Sequence, residues 1–104
     1  MLTSSSQGRR IMTDYERYKL YKDYHRYQVV TYSDDCGSDD KMEYITLAEA
    51  KAQCKYYIKF EEEDAAAIYD HKIGKVVALY NGFNQYTAFN ERAWNENAKI
   101  YWID

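Results

Sequence analysis

The sequence predicts a small α+β domain: a mostly antiparallel sheet of about four strands, with one main helix on one face and one or two minor helices. Three observations carry this expectation. Residues 46–60 place Leu47, Ala50, Cys54 and the Tyr57/Ile58 pair at the three-and-four spacing of one apolar helix face. Short runs rich in valine, isoleucine, tyrosine and threonine lie on both sides of that helix, as strands do. At 104 residues the chain makes one domain, with room for a modest core.

Taken in order, residues 1–11 are polar and aperiodic and are expected to be a disordered tail. Gly8-Arg9-Arg10-Ile11-Met12 is also encodable by a purine-rich ribosome-binding stretch ahead of a start codon. That reading makes Met12 the native start and the source a bacterium or a bacterial virus, with a frayed tail as the alternative. The single domain then spans 12–104. From Tyr15 to Tyr27 a tyrosine falls at every third position. Thr13 and Glu16 have the spacing of a capping box, which predicts a helix over about 14–24, with an early strand as its rival. Tyr27–Tyr32 alternates as a strand, and 33–40, with Asp34, Asp35, Gly37, Asp39 and Asp40, reads as a loop. Met42–Ile45 reads as a short strand. Thr46 and Glu49 form a second capping box at the start of the main helix, whose Lys51 and Lys55 are expected to point outward. Beyond it, 65–70 and 75–80 flank His71-Lys72-Ile73-Gly74 as a hairpin. Asn81-Gly82 is a turn signal. Thr87 is placed to cap a short helix reaching about Asn95, and 99–103 suits a final strand.

Composition narrows the function classes. Net charge is −3, and no apolar run approaches the roughly 20 residues of a membrane span. No apolar signal core is present at the N-terminus, so Cys36 and Cys54 are expected as thiols in a bacterial cytoplasm. A nucleophilic enzyme needs a cysteine or serine beside a histidine and a group orienting it. Neither His25 nor His71 is placed near such a partner in sequence, and Cys54 sits on the helix's apolar face, so the expectation is a non-enzyme. Asp34, Asp35, Asp39 and Asp40 lack the alternating spacing of a calcium loop, and the cysteines and histidines match no zinc pattern, so no metal or cofactor is expected.

Binding signals remain. Thirteen tyrosines suit either strands or a contact surface. Arg17, Lys19, Lys22 and Arg26 interleave with Tyr18, Tyr21 and Tyr24 as in a nucleic-acid stacking platform, but the acidic net charge opposes phosphate binding. Glu61, Glu62, Glu63 and Asp64 follow the main helix, where its dipole disfavours carboxylates. With the aspartates of 34–40 they make two acidic clusters suited to a basic protein surface.

Thr46, Glu49 and Ala50 at the helix start, with Ala67-Ile68-Tyr69-Asp70 and Gly74-Lys75-Val76-Val77 across the hairpin, give a layout that resembles small uncharacterised proteins of bacterial viruses and mobile elements. The resemblance covers about half of the chain and is structural in kind. It implies a compact sheet covered by a helix on one face. Since anti-CRISPR proteins are among proteins of this kind, it also implies an inhibitor of a host defence system such as CRISPR-Cas. The sequence thus predicts a non-enzymatic, host-protein-binding protein. A structural or accessory homodimer and a single-stranded nucleic-acid-binding module are the alternatives. The residues expected to meet the partner are Glu61, Glu62, Glu63, Asp64, Asp34, Asp35, Asp39, Asp40, Tyr18, Tyr21 and Tyr24.

Overall fold

The capping box at Thr13 starts a helix, α1 (Asp14–Tyr24). The Glu16 amide donates to Thr13 Oγ1 at 3.1 Å, and the Thr13 amide donates to Glu16 Oε1 at 3.0 Å. The computed structural model describes residues 13–84 and 88–104; in α1 the side chains at 18, 19 and 21–23 also fall outside the description. The expectations for residues 1–11, for Met12, for Thr87 and for the side chains of Tyr18 and Tyr21 therefore lie outside the described residues. A three-residue tyrosine spacing drifts around a helix and builds no continuous apolar stripe. Among the described side chains of α1, Tyr15, Leu20 and Tyr24 are exposed.

The rest is one sheet with a cover on each face. In chain order come β1 (Tyr27–Ser33), β2 (Gly37–Tyr44), helix α2 (Leu47–Phe60), β3 (Ala65–Asp70), β4 (Lys75–Tyr80), a 3-10 turn (Glu91–Ala93) and β5 (Lys99–Tyr101). The strands are ordered β2-β1-β3-β4-β5; all neighbours are antiparallel except β4 and β5. The mostly antiparallel α+β class expected from the sequence is the class found, with five strands rather than about four.

Side-chain alternation assigns the two faces, apart from an irregularity between the Ile68–Ala78 and Tyr69–Val76 pairs that turns Val76 away from the face of Ala78. Val29, Ala66, Ile68, Ala78 and Tyr80 face α2, which contributes Ala50 and Cys54 as buried residues. Leu47, Tyr57 and Ile58 pack partly buried against the same cluster. Val30, Ala65, Ala67 and Val76 point the other way, under Phe83, Phe89 and Ala93 of the segment after β4. The alanine run that opens the central strand β3 suits this double burial, because small side chains let both covers approach the backbone. Burying residues such as Val29, Val30, Ile68 and Val76 contributes about 1.5–3 kcal/mol each.

Several local expectations change. Residues 37–40 are not loop but the first half of β2. Gly37, at φ +76°, closes a tight turn over 34–36, and Asp39 and Asp40 pair with Thr31 and Val30. An edge strand tolerates such charges, since its outer rim faces water. The strand expected at Met42–Ile45 is the far end of this same β2, with Ile45 beyond it. Over the described part of the short helix expected up to Asn95, residues 88–95, the helical piece is a 3-10 turn at 91–93. Asn90 caps that turn: Asn90 Oδ1 accepts from the Arg92 and Ala93 amides at 2.9 and 3.2 Å. On α2, Lys55 is exposed as expected, but Lys51 folds back half-buried with its ammonium 5.2 Å from the Tyr101 ring centre. The last strand ends at Tyr101, two residues early, because Asn81 takes over the pairing: its side chain accepts from the Ile103 amide and donates to the Ile103 carbonyl.

Candidate interaction surface

The acidic turn after α2 begins with the cap of that helix. The amides of Glu61 and Glu63 both donate to the Tyr57 carbonyl at 3.1 Å, and between them Glu62 adopts φ +58°. That left-handed conformation is ordinarily a glycine or asparagine position at a helix end and costs another residue about 1–2 kcal/mol. Carboxylates also sit poorly at the negative end of a helix dipole. Glu62 breaks both local rules at once.

Antiparallel pairing of β1 and β3 brings this turn beside the turn after β1. The Asp64 amide donates to the Tyr32 carbonyl at 2.8 Å, and the Asp34 amide donates to Asp64 Oδ2 at 2.8 Å. The two clusters that flank α2 in sequence thus form one acidic end of the sheet, comprising Asp34, Asp35, Glu61, Glu62, Glu63 and Asp64. Asp39 joins it through Lys41, whose ammonium is 2.7 Å from Asp39 Oδ2 and 3.7 Å from Glu63 Oε2. The hydrogen bond to Asp39 holds the Lys41 pKa above its ordinary value. Asp64 is therefore largely structural, Asp39 and Glu63 share a cation, and Asp35, Glu61 and Glu62 project into water.

The remaining candidates lie elsewhere. Asp40 points to the opposite face of the sheet, where it lines a cleft of about 350 Å³ with Gln28, Tyr69, Phe89 and Arg92. Tyr24 is exposed, but α1 joins the sheet at the start of β1, the end away from the acidic turns. Sequence reasoning passed over one feature of α2. Tyr56 and Phe60, one helical turn apart, stand side by side with ring centres 5.6 Å apart and are 46% and 71% exposed. The signal was present: assigning Leu47, Ala50, Cys54 and Ile58 to the inner face leaves both aromatics outside.

Basic residues are used differently. Arg26, a member of the expected nucleic-acid platform, is committed to buried Asp70 through a two-pronged ion pair at 2.9 and 2.8 Å. Both histidines approach Glu43, His25 at 3.6 Å and His71 at 3.4 Å, and His71 Nε2 is 2.8 Å from Gln28 Oε1. Burial pushes the Cys54 thiol up to about 12, so at neutral pH it is a packed thiol rather than a nucleophile. Among the described residues no group of three or more His, Cys, Asp or Glu side chains is arranged to hold a metal ion, and no helix is long and apolar enough to cross a membrane. Comparison with protein-family models, with curated proteins and with solved structures finds no match to this chain.

Proposed function

We infer that the chain is a non-enzymatic protein-binding module whose acidic end occupies a basic surface on another protein. The observation that carries this reading is the Asp34–Asp64 hydrogen bond, which joins two acidic clusters thirty residues apart into one surface. Lys41 is the cation that bridges it. Same-sign charge held together this way raises the free energy of the isolated protein and is relieved by a partner of opposite sign. The basic surfaces most sensitive to such a competitor belong to proteins that hold nucleic-acid phosphates. In its narrowest form the reading is a bacterial-virus or mobile-element protein that blocks a host defence nuclease such as CRISPR-Cas in the cytoplasm.

Immobilised protein exposed to a bacterial extract at low salt is expected to retain basic nucleic-acid-handling proteins and to release them when duplex DNA is added. A variant carrying Asp35→Asn, Glu61→Gln and Glu62→Gln is expected to lose them. Retention of the same proteins by that variant, or retention indifferent to DNA, overturns the reading. The narrow form is read separately, as restored plasmid transformation in cells whose defence system targets the plasmid. Undiminished interference excludes that defence system as the target.

A further inference from the structure

The acidic turn does not stand alone on its side of the molecule. It continues directly from Phe60, the last residue of α2, and Phe60 with Tyr56 makes an exposed aromatic ridge on the outer surface of that helix. Tyr57, the neighbour of Tyr56, turns toward β2, where Lys41 lies over its ring at 5.4 Å. The ridge is therefore bordered by Glu61 and Glu62 at its end and by the Asp39–Lys41–Glu63 cluster below. Lys55 and Lys59 occupy the other flank of the outer face and carry the opposite sign.

Exposed aromatics beside polar groups are what interfaces draw on, because a flat ring buries much area at little conformational cost. Charge decides what covers this one. The whole chain is at −3, so a second copy carries no opposite net charge to match this surface. A bare polyanion is repelled for the same reason. The complement is a segment with apolar residues to cover Tyr56 and Phe60 and with cations placed beyond them, over Glu61 and Glu62. Resting on the reading above, we propose that the ridge and the acidic turn form one docking site for a basic amphipathic segment of the partner, with apolar residues at helical spacing flanked by arginine or lysine.

A labelled synthetic peptide of about 15 residues, roughly four helical turns, with leucines at three-and-four spacing and arginines at one end is titrated against the full chain. A scrambled peptide of identical composition is the control. The patterned peptide is expected to bind about tenfold more tightly than the scrambled one. Tyr56→Ala with Phe60→Ala, both on the outer face of α2, is expected to abolish that difference, with a retained cooperative melting transition as the check that the fold is intact. Glu61→Gln with Glu62→Gln is expected to weaken both peptides. Equal, salt-sensitive binding of the two peptides overturns the docking site while leaving charge-based binding standing. Binding of the patterned peptide that ignores the glutamate changes overturns both. Concentration-dependent dimerisation lost in the aromatic variant shows that a second copy covers the ridge, and overturns the proposal as well.

Discussion

At the end of the sheet where α1 enters, Asp70 is 2% exposed and both its carboxylate oxygens are held by the Arg26 guanidinium, with the Lys72 amide adding a further bond to Oδ1. At the opposite end, Asp35, Glu61 and Glu62 lie exposed, and the surface they share has Lys41 as its bridging cation. The same side-chain chemistry serves two purposes. A carboxylate taken out of water must be matched by donors, and then it fixes geometry: this pair fastens the α1–β1 junction to the β3–β4 hairpin. Carboxylates left in water fix nothing locally and are free to be matched by another molecule.

The largest expected effect tests the matched end. Arg26→Ala leaves Asp70 charged and buried without its principal partner, which should cost about 3 kcal/mol of stability. Urea unfolding followed by fluorescence measures it. A loss below about 0.5 kcal/mol would mean that water reaches Asp70 and that the two ends do not differ as described.

The interior between the ends supplies a second test through pH. Burial raises the pKa of the Cys54 thiol to about 12 and also raises those of Tyr80 and Tyr44. Each group is neutral when protonated, and a raised folded-state pKa means the folded chain keeps its proton where the unfolded chain has lost it. Stability is therefore fully present below about pH 9 and falls as pH climbs from there towards 12, by about 1.4 kcal/mol per pH unit for Cys54 alone. Cys54→Ala removes that group's share of the slope, although it leaves a small cavity. An alkaline slope unchanged by the substitution would place the thiol in contact with solvent.

What the sequence made legible follows the same division. The capping boxes at Thr13 and Thr46, the inner face of α2 and the turn closed by Gly74 were readable because each is set by residues within a few positions of one another. The strand β2 was not, because Asp39, Asp40 and Lys41 at a sheet edge have the composition of a loop, and only pairing with β1 makes them strand. Nor was the second cover of the sheet, since Phe83, Phe89 and Ala93 come from a segment without periodicity. Both acidic clusters were visible singly. Their union depends on a tertiary hydrogen bond between Asp34 and Asp64, which no local pattern announces, and Asp40 points away from it for the equally non-local reason of strand alternation.

A smaller effect sharpens the contrast at the unmatched end. Glu62→Gly relieves the left-handed backbone at φ +58°, offset in part by the greater freedom glycine gives the unfolded chain, for a net gain of about 0.5–1 kcal/mol. A more stable variant that binds its partner less well would show that a strained glutamate is kept there for contact rather than for folding. Destabilisation would mean that the Glu62 side chain supports the turn.

The smallest effect on the fold is the most telling about function. Asp35→Asn, Glu61→Gln and Glu62→Gln together remove three exposed charges and leave Asp64, which holds the turn, in place. Exposed groups of this kind contribute little to stability, so unfolding should shift by no more than about 0.5 kcal/mol, in the stabilising direction if mutual repulsion dominates. Association with a basic partner or peptide should respond far more, because same-sign surface charge acts mainly on the encounter. The on-rate should fall, and its dependence on salt should flatten, while the off-rate changes little. Stopped-flow mixing at several salt concentrations separates these terms. A changed off-rate with an unaltered on-rate would mean that the carboxylates make close contacts in the bound state rather than steering the approach. A large loss of stability would mean that this end of the sheet is matched after all, and the contrast with Asp70 would disappear.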